Sequence, residues 1–288
     1  MAALAELAAE QQWLDPTGNE LRSAVKGLFD GGSGRAVKDA LHGVWLGHPL
    51  HPVLTDVPIG AWTMAQVFDG IDAASGSERY ADAARVCITT GLVGAIGAAV
   101  TGLTDWSETG GKDSRVGLIH GVTNLLATSL FLASAIMRRK TRSRAALRAS
   151  VAGYAVAMAG AYLGGALVYQ RRLGTDHSAD RDTPQEFTRT ILASDLADGE
   201  KRKVTVGESE VVLVRQGEQV FALAERCAHQ GGPLSEGEVR DGTIICPWHQ
   251  SQYGLADGHV VHGPSTFDQP CYITGISGGF IEVKPRPT

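Results

Sequence analysis

Three stretches of this chain, residues 86–104, 116–137 and 149–170, carry no formally charged side chain. Each runs for about 20 positions, the length of helix that crosses the hydrocarbon core of a bilayer. Helices of that length in a soluble bundle would show charge on the outer face of every turn. The uncharged runs therefore select a membrane-spanning reading over a soluble one. A fourth run, 54–74, is interrupted by Asp56, Asp69 and Asp72, which leaves only 57–68 uncharged. It is included because helices packed in a bundle tolerate charge near their ends, and the expectation is an all-α four-helix transmembrane bundle. Gly153, Ala157, Ala161 and Gly165 in the last span, and Gly94, Ala98 and Gly102 in the second, recur every four residues. Small residues at that spacing let helix backbones approach closely in lipid.

The mean hydropathy of −0.04 is an average over two chemistries. Apolar runs dominate before residue 172. Alternating runs such as "KVTV", "EVVLVR", "QVFALA", "TIICP", "GHVVHG", "YITGI" and "FIEVKP" follow, separated by Gly, Asp and Pro. Strands at this spacing predict an all-β sandwich of about 100 residues. A length of 288 residues suits two domains. The expected divisions are a surface segment at 1–45, the membrane domain at 46–172, a polar linker at 173–186 and the β domain at 187–288. The first residues contain Glu6 and Glu10 and no basic cluster, so an amphipathic surface helix is expected there, not a cleavable signal. The net charge of −5 gives no basic face for nucleic acid, and that partner class is set aside.

His42, His48 and His51 stand with Pro49, Pro52 and Pro58 at the head of the first span, and His120 lies near the head of the third, one turn before Asn124. In a four-span domain these heads share a membrane face with the tails of spans two and four. His48, His51, Asp56, Asp105, His120 and His177 are therefore expected to gather on one side. For any single histidine, a cap or a backbone hydrogen bond is the plain reading. For the group, a haem or quinone site is the alternative, since ionisable groups at membrane depth are costly and imidazole both ligates metal and carries protons. The "HPLHP" opening followed by four spans resembles an uncharacterised family of bacterial predicted membrane domains, which implies four helices and nothing about activity.

Four cysteines are too few for a disulfide scaffold in a chain of this length, and Cys87 and Cys271 read as small apolar side chains. The other two form Cys227-x-His229, then sixteen residues, then Cys246-x-x-His249. Two thiolates and two imidazoles suit either a tetrahedral zinc site or an iron-sulfur centre. A zinc finger would need a helix where this region is strand-rich. With Gly231, Gly232 and Pro233 after the first pair, Pro247 and Trp248 inside the second, and "HQSQYG" following, the motif resembles the Rieske [2Fe-2S] signature.

That resemblance covers about a third of the chain and implies a cluster with Cys227 and Cys246 on one iron and His229 and His249 on the other. It further implies that Ser251 and Tyr253 donate hydrogen bonds to cluster sulfurs and that Pro264, in "GPST", lies in a covering loop. Gly232 and Trp248 occupy the positions where the respiratory type carries a further cysteine pair, so no bridge forms there. Gln250 stands where glycine is usual. Hydroxyl donors raise the potential and the missing bridge matches low-potential ferredoxins, so an intermediate value is expected within a range of about −150 to +300 mV.

Such a centre has no open coordination position, and no catalytic residue is assigned. Three readings follow: a membrane-anchored electron-transfer protein exchanging electrons with quinone or haem, a tethered ferredoxin serving a separate oxygenase or reductase, and a redox-sensing subunit. Lipid and a redox protein or quinone are the expected partners, and His229 or His249 the electron exit. The expected location is the cell (inner) membrane, crossed several times. Six basic residues at 138–148 favour the cytoplasm for that connection and place the β domain outside, against Arg35, Lys38, Arg171 and Arg172 on the other face.

Overall fold

The computed structural model describes residues 2–31, 33–138, 143–178 and 184–286. Most of the basic connection (139–142) and part of the expected linker (179–183) lie outside the described residues. The chain forms two compact units, Met1–Gly34 with Pro49–Arg172, and Arg35–His48 with Leu173–Thr288. The α-helices among the described residues are α1 (Ala2–Ala9), α2 (Asp15–Gly27), α3 (Gly34–His42), α4 (Leu50–Ser75), α5 (Glu78–Ser107), α6 (Gly111–Met137) and α7 (Arg144–Tyr169).

The first three expected spans lie inside α4, α5 and α6, and the last, 149–170, runs one residue past the end of α7. Three of these, α5, α6 and α7, are long and apolar enough to cross a membrane. The fourth, α4, has the length but carries Asp56, Asp69 and Asp72. The helices pair α4 with α5 and α6 with α7. Their shared core holds Trp62 and Ala65 of α4, Ile88 of α5, Ala127 and Phe131 of α6 and Ala157 of α7, with Trp62 and Phe131 stacked at 4.1 Å. Larger aliphatic side chains point outward: Val93, Ile96 and Leu125 are 67%, 66% and 67% exposed. Large aliphatic side chains turned outward along whole helices is the arrangement a lipid solvent permits and water does not.

Asp69 is buried and forms a two-pronged ion pair with Arg138, at 2.6 and 2.5 Å, and Ser150 Oγ of α7 donates to it at 3.4 Å. One of the charges that interrupts the fourth run is therefore neutralised where α4, α6 and α7 meet. At the other end of α6, Arg115 forms a two-pronged pair with Asp15, 2.7 Å on each prong, and donates to Ala9 O at 2.8 Å. Arg171 pairs with Glu6 of α1 at 3.4 Å and with Asp113 of α6 at 2.8 Å. These pairs seat α1 and α2 on the helical unit. The segment expected as one surface element at 1–45 thus divides at Gly34, because its first part supplies partners to arginines at helix ends while residues 35–48 belong to the β unit.

The β unit contains β1 (Thr188–Leu192), β2 (Lys201–Val206), β3 (Ser209–Gln216), β4 (Gln219–Ala224), β5 (Glu238–Arg240), β6 (Thr243–Ile245), β7 (Gln252–Gly254), β8 (Val260–His262), β9 (Cys271–Ser277) and β10 (Phe280–Pro285). They form a six-stranded sheet, β1-β10-β9-β4-β3-β2, and a four-stranded sheet, β5-β6-β7-β8, with antiparallel pairing throughout. Strand β3 is buried on both faces. Val211 and Leu213 enter one core with Val206, Ala222 and Ile281, while Val212 and Val214 enter another with Leu223, Ile244, Tyr253 and the two motif cysteines. Side chains alternate across a strand, so one run of valines and leucine serves both cores. Strands β5 and β7 have three residues each, too few to show alternation in the sequence.

Replacing Asp69 by Ala leaves Arg138 buried without its counter-charge, and about 3–5 kcal/mol of stability is expected to be lost. Thermal unfolding of the detergent-solubilised chain reads this as a lowered midpoint. The double variant Asp69→Leu/Arg138→Met is expected to recover most of the loss.

Candidate metal centre

The two Cys-His pairs lie in loops that close in the same way. In the first, which follows β4, Cys227 N–H donates to Gly232 O at 2.9 Å and Gly231 N–H donates to Cys227 O at 2.7 Å. In the second, between β6 and β7, Cys246 N–H donates to Ser251 O at 2.8 Å and Gln250 N–H donates to Cys246 O at 3.1 Å. The fourth residue after each cysteine is left-handed, Gly231 at φ 74° and Gln250 at φ 63°. Glycine takes that conformation freely, whereas a residue with a Cβ is strained by it. The unequal motif spacing therefore falls inside two equally closed loops.

Cys227 and Cys246 are buried, and the rings of His229 and His249 meet at 4.9 Å between centroids with planes at 87°. His229 Nδ1 is shielded from solvent and has no hydrogen-bond partner. Burial, then the neighbouring His249, His42, His177 and Lys38, pushes the His229 imidazole well below its usual range, which keeps its lone pair free of a proton. Cys246 is held down to about 7, chiefly by the hydrogen bond from Cys227, and Cys227 is raised for the same reason and by burial. Among the described residues no three His, Cys, Asp or Glu side chains converge on a single ion position. Two cysteines and two histidines, supplied as facing pairs with one buried nitrogen lacking a partner, fit a two-iron sulfide-bridged group.

Neighbouring side chains complete the site. Tyr253, fully buried, places its hydroxyl 3.1 Å from Cys227 Sγ. Ser251 Oγ accepts from Ser265 N–H at 3.0 Å, so its own proton remains to be donated. Pro264 is buried beside Ser265. A Cβ at Gly232 would lie 2.9 Å from Cys246 Sγ and 3.0 Å from Trp248 Cδ2, so the glycine lets the second loop close against the first. Trp248 itself is 57% exposed. All four cysteines are free thiols, with Cys87 and Cys271 half-buried against their cores.

Gln269 is a site residue the sequence did not reveal. Its amide accepts from Ala228 N–H at 2.9 Å and donates to Ala224 O at 2.8 Å and Arg226 O at 2.7 Å, tying down the first loop. It sits in "FDQPC", where nothing about the residue type or spacing marks it.

The expected gathering of helical-domain groups is realised only for two of them. His51 and His120 approach to 6.3 Å between ring centroids, with planes at 89°. His51 Nδ1 donates to Ala98 O at 2.8 Å, and His120 Nδ1 donates to Gly160 O at 2.9 Å. Asn124 Nδ2 lies 3.2 Å from both ring nitrogens of His120. Asp56 is exposed on α4 and Asp105 lies in the last turn of α5. His48 and His177 belong to the β unit, where His177 N–H donates to Ala228 O at 2.9 Å beside the first loop.

An antiparallel β domain with one cysteine and one histidine on each of two equally closed loops defines an iron-sulfur class of domain. Comparison with known families matches residues 186–273 to "Rieske [2Fe-2S] domain" and residues 47–177 to "Predicted membrane protein (DUF2231)". Apoptosis-inducing factor 3 of Homo sapiens is 31% identical over 97 residues, 33% of this chain but only 16% of that protein's length. The anthranilate 1,2-dioxygenase ferredoxin subunit of Burkholderia cepacia is 33% identical over 78 residues, 27% of this chain and 72% of that protein. The solved ferredoxin of carbazole 1,9a-dioxygenase from Nocardioides aromaticivorans IC177 is 25% identical, covers 36% of this chain and all of that chain, and has a TM-score of 0.34. The chain belongs to the Rieske [2Fe-2S] family through its C-terminal domain, which is fused to a domain of the predicted-membrane-protein family.

Gln250→Gly is expected to relieve the left-handed strain in the second loop. Differential scanning calorimetry should show the β unit stabilised by roughly 0.5–1 kcal/mol.

Proposed function

We propose that the chain is a membrane-anchored electron-transfer protein in which Cys227 and Cys246 hold one iron of a [2Fe-2S] cluster and His229 and His249 hold the other. The observation that carries this is the buried, partnerless Nδ1 of His229, set 4.9 Å ring to ring from His249 and in the loops that bury Cys227 and Cys246. A cluster so held supplies one-electron chemistry and leaves no site for a substrate.

The chain's own residues set how readily that electron is accepted. Tyr253 donates its hydroxyl proton to the Cys227 sulfur, and Ser251 has a free hydroxyl proton inside the same pocket. Both favour the more negative, reduced state and raise the potential. The contact of Gly232 with Trp248 stands where a bridging cysteine pair would otherwise do so, which keeps the potential below the top of the Rieske range. His249, half-buried beside the exposed indole of Trp248, is the exit for the electron. A redox protein is the partner. The ferredoxin subunit among the relatives favours a tethered ferredoxin that serves a separate oxygenase or reductase.

In the helical unit, the His51 and His120 pair supports a second redox position for a quinone or haem. Each Nδ1 is committed to a carbonyl of a neighbouring helix, as metal-binding histidines are commonly held, which leaves Nε2 of His51 to face a ligand, while Nε2 of His120 lies 3.2 Å from the Asn124 amide that a ligand would displace. Gly102 and Gly164 make room for the two rings, since a Cβ there would lie 2.7 and 3.1 Å from them. The domain crosses the cell (inner) membrane several times, with the basic 138–148 connection on the cytoplasmic side and the β unit opposite.

A redox titration of the purified full chain in detergent, followed by visible and EPR spectra, tests these assignments. A reduced-cluster EPR signal at an intermediate potential is expected, lost in Cys227→Ser. Tyr253→Phe should keep the cluster and lower the potential by roughly 60 mV, a tenfold change in the one-electron equilibrium. A Soret band lost in His120→Ala identifies haem; reduction of the cluster by quinol, lost in the same variant, identifies quinone. If His120→Ala leaves both unchanged, the tethered-ferredoxin reading stands alone.

A further inference from the structure

We propose that residues 35–48 form a built wall of the cluster site, in which Asp39 is a positioning residue for the loop that covers it. This rests on the cluster assignment above. All but its last two residues precede the stretches matched by either family, yet it folds as part of the β unit.

Asp39, on α3, holds the start of the covering loop with both carboxylate oxygens. Oδ2 lies 2.7 Å from His262 Nδ1, and Oδ1 accepts from Gly263 N–H at 3.0 Å. A carboxylate of this kind only accepts, so the proton of the first bond sits on the imidazole nitrogen. The backbone N–H of Gly263 would otherwise need another partner, because a polar group removed from water must be satisfied. The fit around Gly263 is close: a Cβ there would lie 3.0 Å from Val44 Cγ2, 3.3 Å from Asp39 Oδ1 and 3.6 Å from His42 Cδ2. Val44 packs against the core that contains Cys227, Cys246 and Tyr253, and His42 is buried. At the other end of α3, Arg35 Nη2 donates to the Gln252 side-chain oxygen at 2.8 Å when that amide is turned to face it. Gln252 follows Ser251 directly.

Two residues past Gly263, Ser265 N–H donates to Ser251 Oγ and so orients the hydroxyl assigned to the cluster. Asp39 therefore acts on the cluster through Gly263, Pro264, Ser265 and Ser251, without touching it. A helix from outside the β domain's own sequence thereby fixes both the cover of the site and one of its hydrogen-bond donors.

The full chain carrying Asp39→Ala is compared with wild type and with Asp39→Asn, which keeps an acceptor for Gly263 N–H. Three quantities are measured: iron and acid-labile sulfide per chain, the EPR spectrum of the reduced cluster, and the rate of cluster loss under a chelator. Asp39→Ala is expected to broaden the EPR lines and to lose its cluster roughly tenfold faster, as a bond to a charged acceptor is removed. Asp39→Asn is expected to restore the wild-type line shape and most of the retention. If Asp39→Ala does not accumulate, Arg35→Ala is the variant read, with the same line broadening expected. Spectra and loss rates in the alanine variant equal to wild type, or an asparagine variant as impaired as the alanine one, overturn the inference. A wild-type chain without two irons and two sulfides overturns the cluster assignment itself and is told apart by that assay.

Discussion

Everything about the metal centre depends on two loops being closed by the same pair of backbone hydrogen bonds. Each cysteine N–H reaches the carbonyl five residues on, and each cysteine carbonyl receives the N–H four residues on. This closure turns both thiols inward onto a core shared with Val212, Val214, Leu223 and Ile244, and leaves both imidazoles at the outer edge. It also makes the closing residue left-handed in each loop. Sheet pairing of β6 with β7 and the three hydrogen bonds of Gln269 then keep the loops facing one another.

The helical unit answers a different constraint. Within hydrocarbon, backbone polar groups must be met inside the helix, and side chains that carry charge must find partners. Asp69 does so with Arg138, and the small residues on α5 and α7 allow the close approach through which His51 and His120 reach carbonyls of other helices. In water, helices that leave valines, isoleucines and leucines on the outside would be inverted. In lipid that is the expected order.

Much of this was legible because period and length survive in the sequence. Uncharged runs gave α5, α6 and α7, and alternation gave β2, β3, β4, β9 and β10, since many residues repeat the same signal. The pairs Cys227 with His229 and Cys246 with His249 stood out for a related reason: ligand chemistry restricts residue type and spacing together. What stayed hidden involves partners far apart in the chain. Asp39 meets Gly263 and Gln269 meets Ala228, and neither residue type nor local spacing announces a contact made across that distance. The histidine group failed in part for the opposite reason. A helical count groups His48 and His177 with the helix-end histidines, whereas both belong to the β unit, and within the helical unit His51 and His120 meet.

The asymmetry of the metal centre gives the proposed electron path its direction. The cysteine side is enclosed by Tyr253, Leu234 and Val214, all fully buried, so a negative charge there is stabilised only by the few donors aimed at it. The histidine side meets solvent at His249 and Trp248. Imidazole ligands would leave an iron there less negative than thiolates would, which would favour an added electron on the side nearest the surface. Donors on the buried side and exposure on the other then act together: hydrogen bonds set the energy at which the electron enters, and the imidazole edge sets where it leaves. On the proposed reading a redox partner would approach at the exposed Trp248 and half-buried His249, with the buried cysteines on the far side.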